Sequence, residues 1–141
     1  MFELSKRSKD NMSSTHRDLQ IIVETAIMVT QVDFIVTEGG RSDERQNKLL
    51  SEGKTTVKRG KHNVKPKSEA FDFCAYIKGK PELAYDKVHL MYLVGVFTSI
   101  GELLYKQGVI THKVRSGANW DRDGELLYDQ TFWDAPHIEI I

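Results

Sequence analysis

Apolar residues at Leu19, Ile22, Val23, Ala26 and Ile27 recur every three or four positions. That spacing predicts an amphipathic helix over roughly 14–30, with Ser13 or Ser14 as its N-cap. Residues 1–12 are polar and unpatterned and are expected to form a flexible N-terminal arm. Asp33-Phe-Ile-Val-Thr37 reads as a short strand, broken by Gly39-Gly40. Ser42 is placed to cap a second helix running to about Ser51, with Gly53 beyond its end. No periodicity survives from Lys54 to Lys67, a basic and turn-rich stretch expected as a surface loop. The clearest alternation follows over 69–77, with Phe71, Phe73 and Ala75 on one side and Ala70, Asp72, Cys74 and Tyr76 on the other; it predicts a strand. Beyond the turn at Lys78-Gly-Lys-Pro81, Tyr85 to Lys106 is apolar over a wide arc and predicts a long central helix stopped at Gly108.

His112 to Ser116 is a candidate strand, and Gly117 to Trp133 a loop long enough to suggest function. The chain closes on a further strand, in which His137 and Glu139 alternate with Ile138 and Ile140. Pro136, lacking an N–H, suits its first residue, which leaves Asp134 in the preceding turn. Helices and strands mixed without βαβ alternation point to an α+β fold, a mainly antiparallel sheet with helices packed on it. No repeat or linker divides the chain, so residues 13–141 are expected to be a single domain.

Composition narrows the chemistry. Lys+Arg and Asp+Glu balance at 20 each, so no global field favours nucleic acid or an anionic membrane. No stretch reaches roughly 18 consecutive apolar residues, so membrane insertion is not expected. The N-terminus has no signal-peptide core, which suggests synthesis in a cytoplasm and export by other means. One cysteine, Cys74, excludes an internal disulfide and a Cys-rich zinc site; a metal would need imidazoles and carboxylates.

His62, Asp72 and His137 are the ligand-grade groups next to regular structure. Two imidazoles and a carboxylate would leave a zinc ion one open position. Asp72 between Phe71 and Phe73 either faces water from a half-exposed strand or is paired or metal-bound, because burying it alone is costly. His137 and Asp134 are likewise open between a metal site and a strand with one semi-buried histidine. His16, His89 and His112 are expected to be structural or solvated. Asp121-Arg-Asp-Gly-Glu125 superficially suggests a calcium loop but lacks the twelve-residue pattern, and is expected to be a solvated turn.

Four segments in order resemble zinc peptidases of the D-Ala-D-Ala carboxypeptidase/dipeptidase group, most closely phage L-alanyl-D-glutamate endopeptidases. They are Thr37-Glu-Gly-Gly-Arg41-Ser, Lys61-His62 with Ser68-Glu-Ala-Phe-Asp72-Phe-Cys-Ala-Tyr76-Ile-Lys-Gly-Lys80, Gly117-Ala-Asn-Trp120-Asp-Arg-Asp-Gly124 and Asp134-Ala-Pro-His137-Ile-Glu139. The resemblance implies a Hedgehog/DD-peptidase-like fold and Zn2+ bound by His62, Asp72 and His137. It also implies Asp134 as general base and Arg41 as the cation that stabilises the carbonyl oxygen or anchors a substrate carboxylate. Trp120 would be a pocket wall or a clamp on its loop. The implied partner is the peptidoglycan stem peptide, attacked by a monomer in phage lysis after release through the membrane. The chain departs from the family's spacing: the gap between His62 and Asp72 is three residues longer and lacks its glycine, and Gly60 stands where serine is common. Pro66 is placed to turn the excess outward. A non-catalytic zinc-bearing wall-binding or virion protein would have no need of Asp134 beside the metal. A non-haem iron oxygenase would bring its first two ligands as His-x-Asp, which His62 and Asp72 do not match.

Overall fold

The computed structural model describes residues 1–57, 59–125 and 134–141. Four helices, α1 (Lys6–Met12), α2 (Arg17–Val29), α3 (Asp43–Ser51) and α4 (Lys87–Lys106), accompany four strands, β1 (Phe34–Glu38), β2 (Ala70–Ala75), β3 (Val114–Gly117) and β4 (Asp134–Ile140). The strands form one antiparallel sheet in the order β1-β2-β4-β3, the α+β architecture that the sequence predicts.

One face of the sheet is apolar and carries the core. Leu90, Leu93, Val94, Phe97 and Gly101 form the buried stripe of α4, and Leu19, Ile22, Val23, Ala26 and Ile27 that of α2. Both stripes meet Phe71, Phe73, Ala75, Ile138 and Ile140. Phe97 sits edge-on to three rings, with centroids 4.9 Å from Phe34, 5.2 Å from Phe71 and 4.9 Å from Phe73, a geometry aromatic pairs favour. Gly101 lets β3 lie close, since a Cβ there would collide with Val114. By length and mean hydropathy (1.4) α4 is apolar enough to cross a membrane, although no run of consecutive apolar residues is that long.

Three expectations need correction. The first twelve residues are not a loose arm: they contain α1, capped by Ser5, with Met12 in the core. Ser8 accepts the Val36 N–H at 2.9 Å and Asn11 donates to the Val36 carbonyl at 2.8 Å, so α1 closes the free edge of β1. Its polar side chains replace a missing strand, which is why no apolar stripe announces it. Helix α2 is capped by His16, whose Nδ1 accepts the Asp18 N–H at 3.0 Å, rather than by Ser13 or Ser14. Strand β4 begins at Asp134, not Pro136, and Gly117 belongs to β3, where its backbone passes so close to the Asp134 carbonyl that no side chain would fit. Of the predicted long loop, residues 126–133 lie outside the described residues.

Register decides what the other face carries. Asp72 pairs with His137, and Glu139 with Arg115. An irregularity between Val36 and Glu38 places Glu38 opposite Asp72 although Val36 is buried in the core; the extra residue turns Glu38 to the polar face. Replacing Phe97 with alanine should cost about 3–5 kcal/mol, the usual range for a fully buried phenylalanine, in urea unfolding of the metal-free protein. A loss below about 1 kcal/mol would mean that the sheet does not depend on that ring.

Candidate metal centre

His62 comes from the 3-10 turn Lys61–Asn63, Asp72 from the middle of β2 and His137 from β4. His62 Nε2 lies 3.2 Å and His137 Nδ1 3.3 Å from the same oxygen, Asp72 Oδ1. One donor atom from each residue falls within a 4.8 Å cluster. Zinc–nitrogen and zinc–oxygen bonds near 2.0–2.1 Å separate tetrahedral ligand atoms by roughly 3.3–3.4 Å. These two edges fit that separation better than they fit strong hydrogen bonds, so the donor set suits zinc.

The shell behind these groups fixes which atoms face the centre. His62 Nδ1 contacts the Gly39 carbonyl at 2.7 Å, which fixes its proton there and leaves the Nε2 lone pair free. The longer loop before Asp72 does not displace His62: Asn63 anchors the turn, accepting the Gly60 N–H at 3.0 Å and donating to the Arg41 carbonyl at 3.0 Å. Arg41 grips Glu38 through Nε at 2.9 Å and Nη2 at 2.7 Å, donates to Gln46 through Nη1 at 2.8 Å, and reaches Asp72 Oδ2 at 3.4 Å. Glu38, Gln46 and the Gly39 carbonyl carry no signal of this role in the sequence beyond lying within five residues of Arg41.

The centre opens into a cavity of about 500 Å³ whose wall includes Arg41, Trp120 and Asp134. The Trp120 ring lies 5.3 Å from that of His137. Asp134 and His137 are three residues apart, so strict alternation would set them on opposite faces of β4. The pairing instead jumps from Ser116↔Ile138 to Gly117↔Asp134. Around Pro136 the strand bulges, and both side chains reach the cavity. Burial and then the Asp72 charge push the Asp134 carboxyl above its ordinary range.

The remaining histidines are structural. His89 closes the first turn of α4 with Asp86 at 2.7 Å. His16, Asp18 and His112 also cluster, but His112 Nδ1 is 2.7 Å from Asp18 Oδ2, a true hydrogen bond. That same oxygen accepts the N–H groups of Thr111 and His112 at 3.0 and 3.2 Å, so the cluster clasps α2 to the chain after α4. Residues 121–125 form an exposed turn, in which Asp123 accepts the Glu125 N–H at 2.8 Å.

Burial opposes charge on both Asp72 and His137, yet their mutual hydrogen bonding prevails. It holds Asp72 well below the usual carboxylate range and, with Glu139, pushes His137 up from 6.5 to about 9 in the metal-free protein. A raised histidine contributes its full stabilisation below its unfolded pKa and loses it as pH rises through the folded value. Chelator-treated protein should therefore melt at falling temperature between pH 6.5 and about 9, tracked by thermal scans. A flat melting temperature over that window would contradict the His137–Asp72 pairing.

The family model described as "Phage L-alanyl-D-glutamate peptidase" matches residues 1–141. The chain is similar to an L-alanyl-D-glutamate peptidase of Escherichia phage T5, 24% identical over 99% of this chain and 98% of that one. Among solved structures, the Serratia marcescens L-Ala D-Glu endopeptidase ChiX superposes with a TM-score of 0.72 at 21% identity, covering 98% of this chain and 89% of that one.

Proposed function

The chain belongs to the phage L-alanyl-D-glutamate peptidase family, and on that premise we propose that it is a zinc endopeptidase. Its substrate is the L-alanyl-D-glutamate amide in the peptide stem of bacterial peptidoglycan. Its setting is phage lysis, reached after synthesis in the host cytoplasm and release through the membrane. The observation that supports the reading most is the donor set: two imidazole nitrogens at 3.2 and 3.3 Å from one Asp72 oxygen, at the floor of an open cavity.

Zinc held by His62 Nε2, Asp72 Oδ1 and His137 Nδ1 would polarise the amide carbonyl and acidify a water. Asp134, on the cavity wall beside these ligands, accepts the proton of the attacking water and returns it to the departing D-glutamyl nitrogen. Arg41 uses four of the five N–H donors of a guanidinium on Glu38, Gln46 and Asp72. The remaining N–H on Nη1 is available to oppose charge developing on the carbonyl oxygen or to meet a substrate carboxylate. Trp120 gives the cavity an apolar side against which the alanine can lie.

Asp134→Asn separates a peptidase from a wall-binding relative of the same fold. The variant keeps the shape of the side chain and removes the base, so peptidoglycan lysis should fall on the order of 10²–10⁴-fold, while zinc content and melting temperature stay near wild type. In parallel, His137→Ala should lose its zinc by elemental analysis. Near-normal lysis by Asp134→Asn would return that residue to a role in the strand, and full zinc in His137→Ala would remove the metal assignment.

A further inference from the structure

An imidazole can bind a metal through either nitrogen, and the partner of the other nitrogen decides which one is offered. The two histidines of this centre offer different atoms. His62 is fixed by a backbone carbonyl, with Nδ1 held on Gly39. His137 is held differently: its Nε2 meets Glu139 Oε1 at 2.9 Å. Glu139 lies two residues along β4 and so shares the face of His137, and it is buried at 4% exposure. Its other oxygen receives Arg115 Nη2 at 2.7 Å from the adjacent strand, where Arg115 is its registered partner. The Arg115 guanidinium lies 5.4 Å from the centre of the Trp120 ring, and that ring returns to His137 at 5.3 Å. The four side chains thus form a closed circuit from the ligand, through carboxylate and guanidinium, to the cavity wall.

We propose that Glu139 is a positioning residue of the metal centre, clamped by Arg115, which holds His137 so that Nδ1 and no other ring atom faces the metal. The inference rests on the proposed metal centre. A half-turn of the imidazole would bring a ring carbon towards Asp72 and another towards Glu139, and the hydrogen bond to Glu139 opposes that flip. Arg115 compensates the Glu139 charge, which would otherwise be buried with its second oxygen unpaired. Because Arg115 also carries Trp120, the orientation of the ligand is tied to the wall that a substrate touches.

The test is the zinc dissociation constant of purified protein, measured by chelator competition for wild type, Glu139→Gln, Arg115→Met and the double variant. Melting of each metal-free form and the visible spectrum of each cobalt-loaded form complete the set. Glu139→Gln keeps the shape and weakens the acceptor, so zinc should bind about 10–100-fold more weakly, the usual cost of losing such a partner, with an altered cobalt spectrum. Arg115→Met, at a half-buried position, should weaken zinc binding by a smaller factor. The double variant should bind no more weakly than Glu139→Gln alone, because the arginine acts through the carboxylate. Wild-type affinity in Glu139→Gln, or effects that multiply in the double variant, would overturn the inference alone. Wild-type protein that holds no zinc would overturn the metal centre and this inference together. Should Glu139→Gln fail to fold, Arg115→Met decides: unchanged zinc affinity there overturns the clamp.

Discussion

Asp72 must be charged to hold a metal in the proposed way, yet it stands on the second strand of the sheet between two core phenylalanines. An isolated carboxylate in that position would be costly. Here Oδ1 faces two imidazoles and Oδ2 faces Arg41, which is itself neutralised by Glu38. On the far side His137 leans on Glu139, and Glu139 on Arg115. In the metal-free protein, with His137 protonated, Glu38, Arg41, Asp72, His137, Glu139 and Arg115 alternate in sign and reach from β1 to β3. The antiparallel register creates that line by setting Glu38 opposite Asp72, Asp72 opposite His137 and Arg115 opposite Glu139. The apolar face, keyed by Phe97, keeps the register from slipping, because a one-residue slip would drive the charges into the core. Core packing and site geometry are therefore two faces of one constraint.

The functional face depends on two departures from regular pleating. One extra residue after Val36 brings Glu38 out of the core side and into the polar row. The interruption around Pro136 brings Asp134 to the side of His137. At the second break the backbone of Gly117 is pressed against Asp134, so a glycine at this end of β3 is required by close approach rather than by a positive φ. Bulges of this kind re-aim side chains next to active sites.

Both breaks limited what the sequence could reveal. The stripes of α2 and α4, the alternation of β2 and the Ser42 cap of α3 were legible because each obeys a simple period or cap rule. His62, Asp72 and His137 were legible as ligand types near regular structure, and the structure brings all three together. The family resemblance implied all three as one ligand set. Asp134 reads as a turn residue because Pro136 suits the start of a strand, and simple alternation offers no way to set residues three apart on one face. Helix α1 was missed because Ser8 and Asn11 dock it by hydrogen bonds to Val36, a contact that leaves no hydrophobic pattern. Glu38, Glu139 and Arg115 look like ordinary surface charges until the register is known.

The proposed function links a metal site built by strand register to hydrolysis of one particular amide. Mass spectrometry of fragments released from purified peptidoglycan tests that link most directly, with the protein as isolated, after chelation and after zinc is restored. The expected products are glycan strands that end in L-alanine and free peptides that begin with D-glutamate, lost on chelation and regained with zinc. Fragments cut in the glycan chain, cleavage at another stem bond, or release that is indifferent to chelation would contradict it.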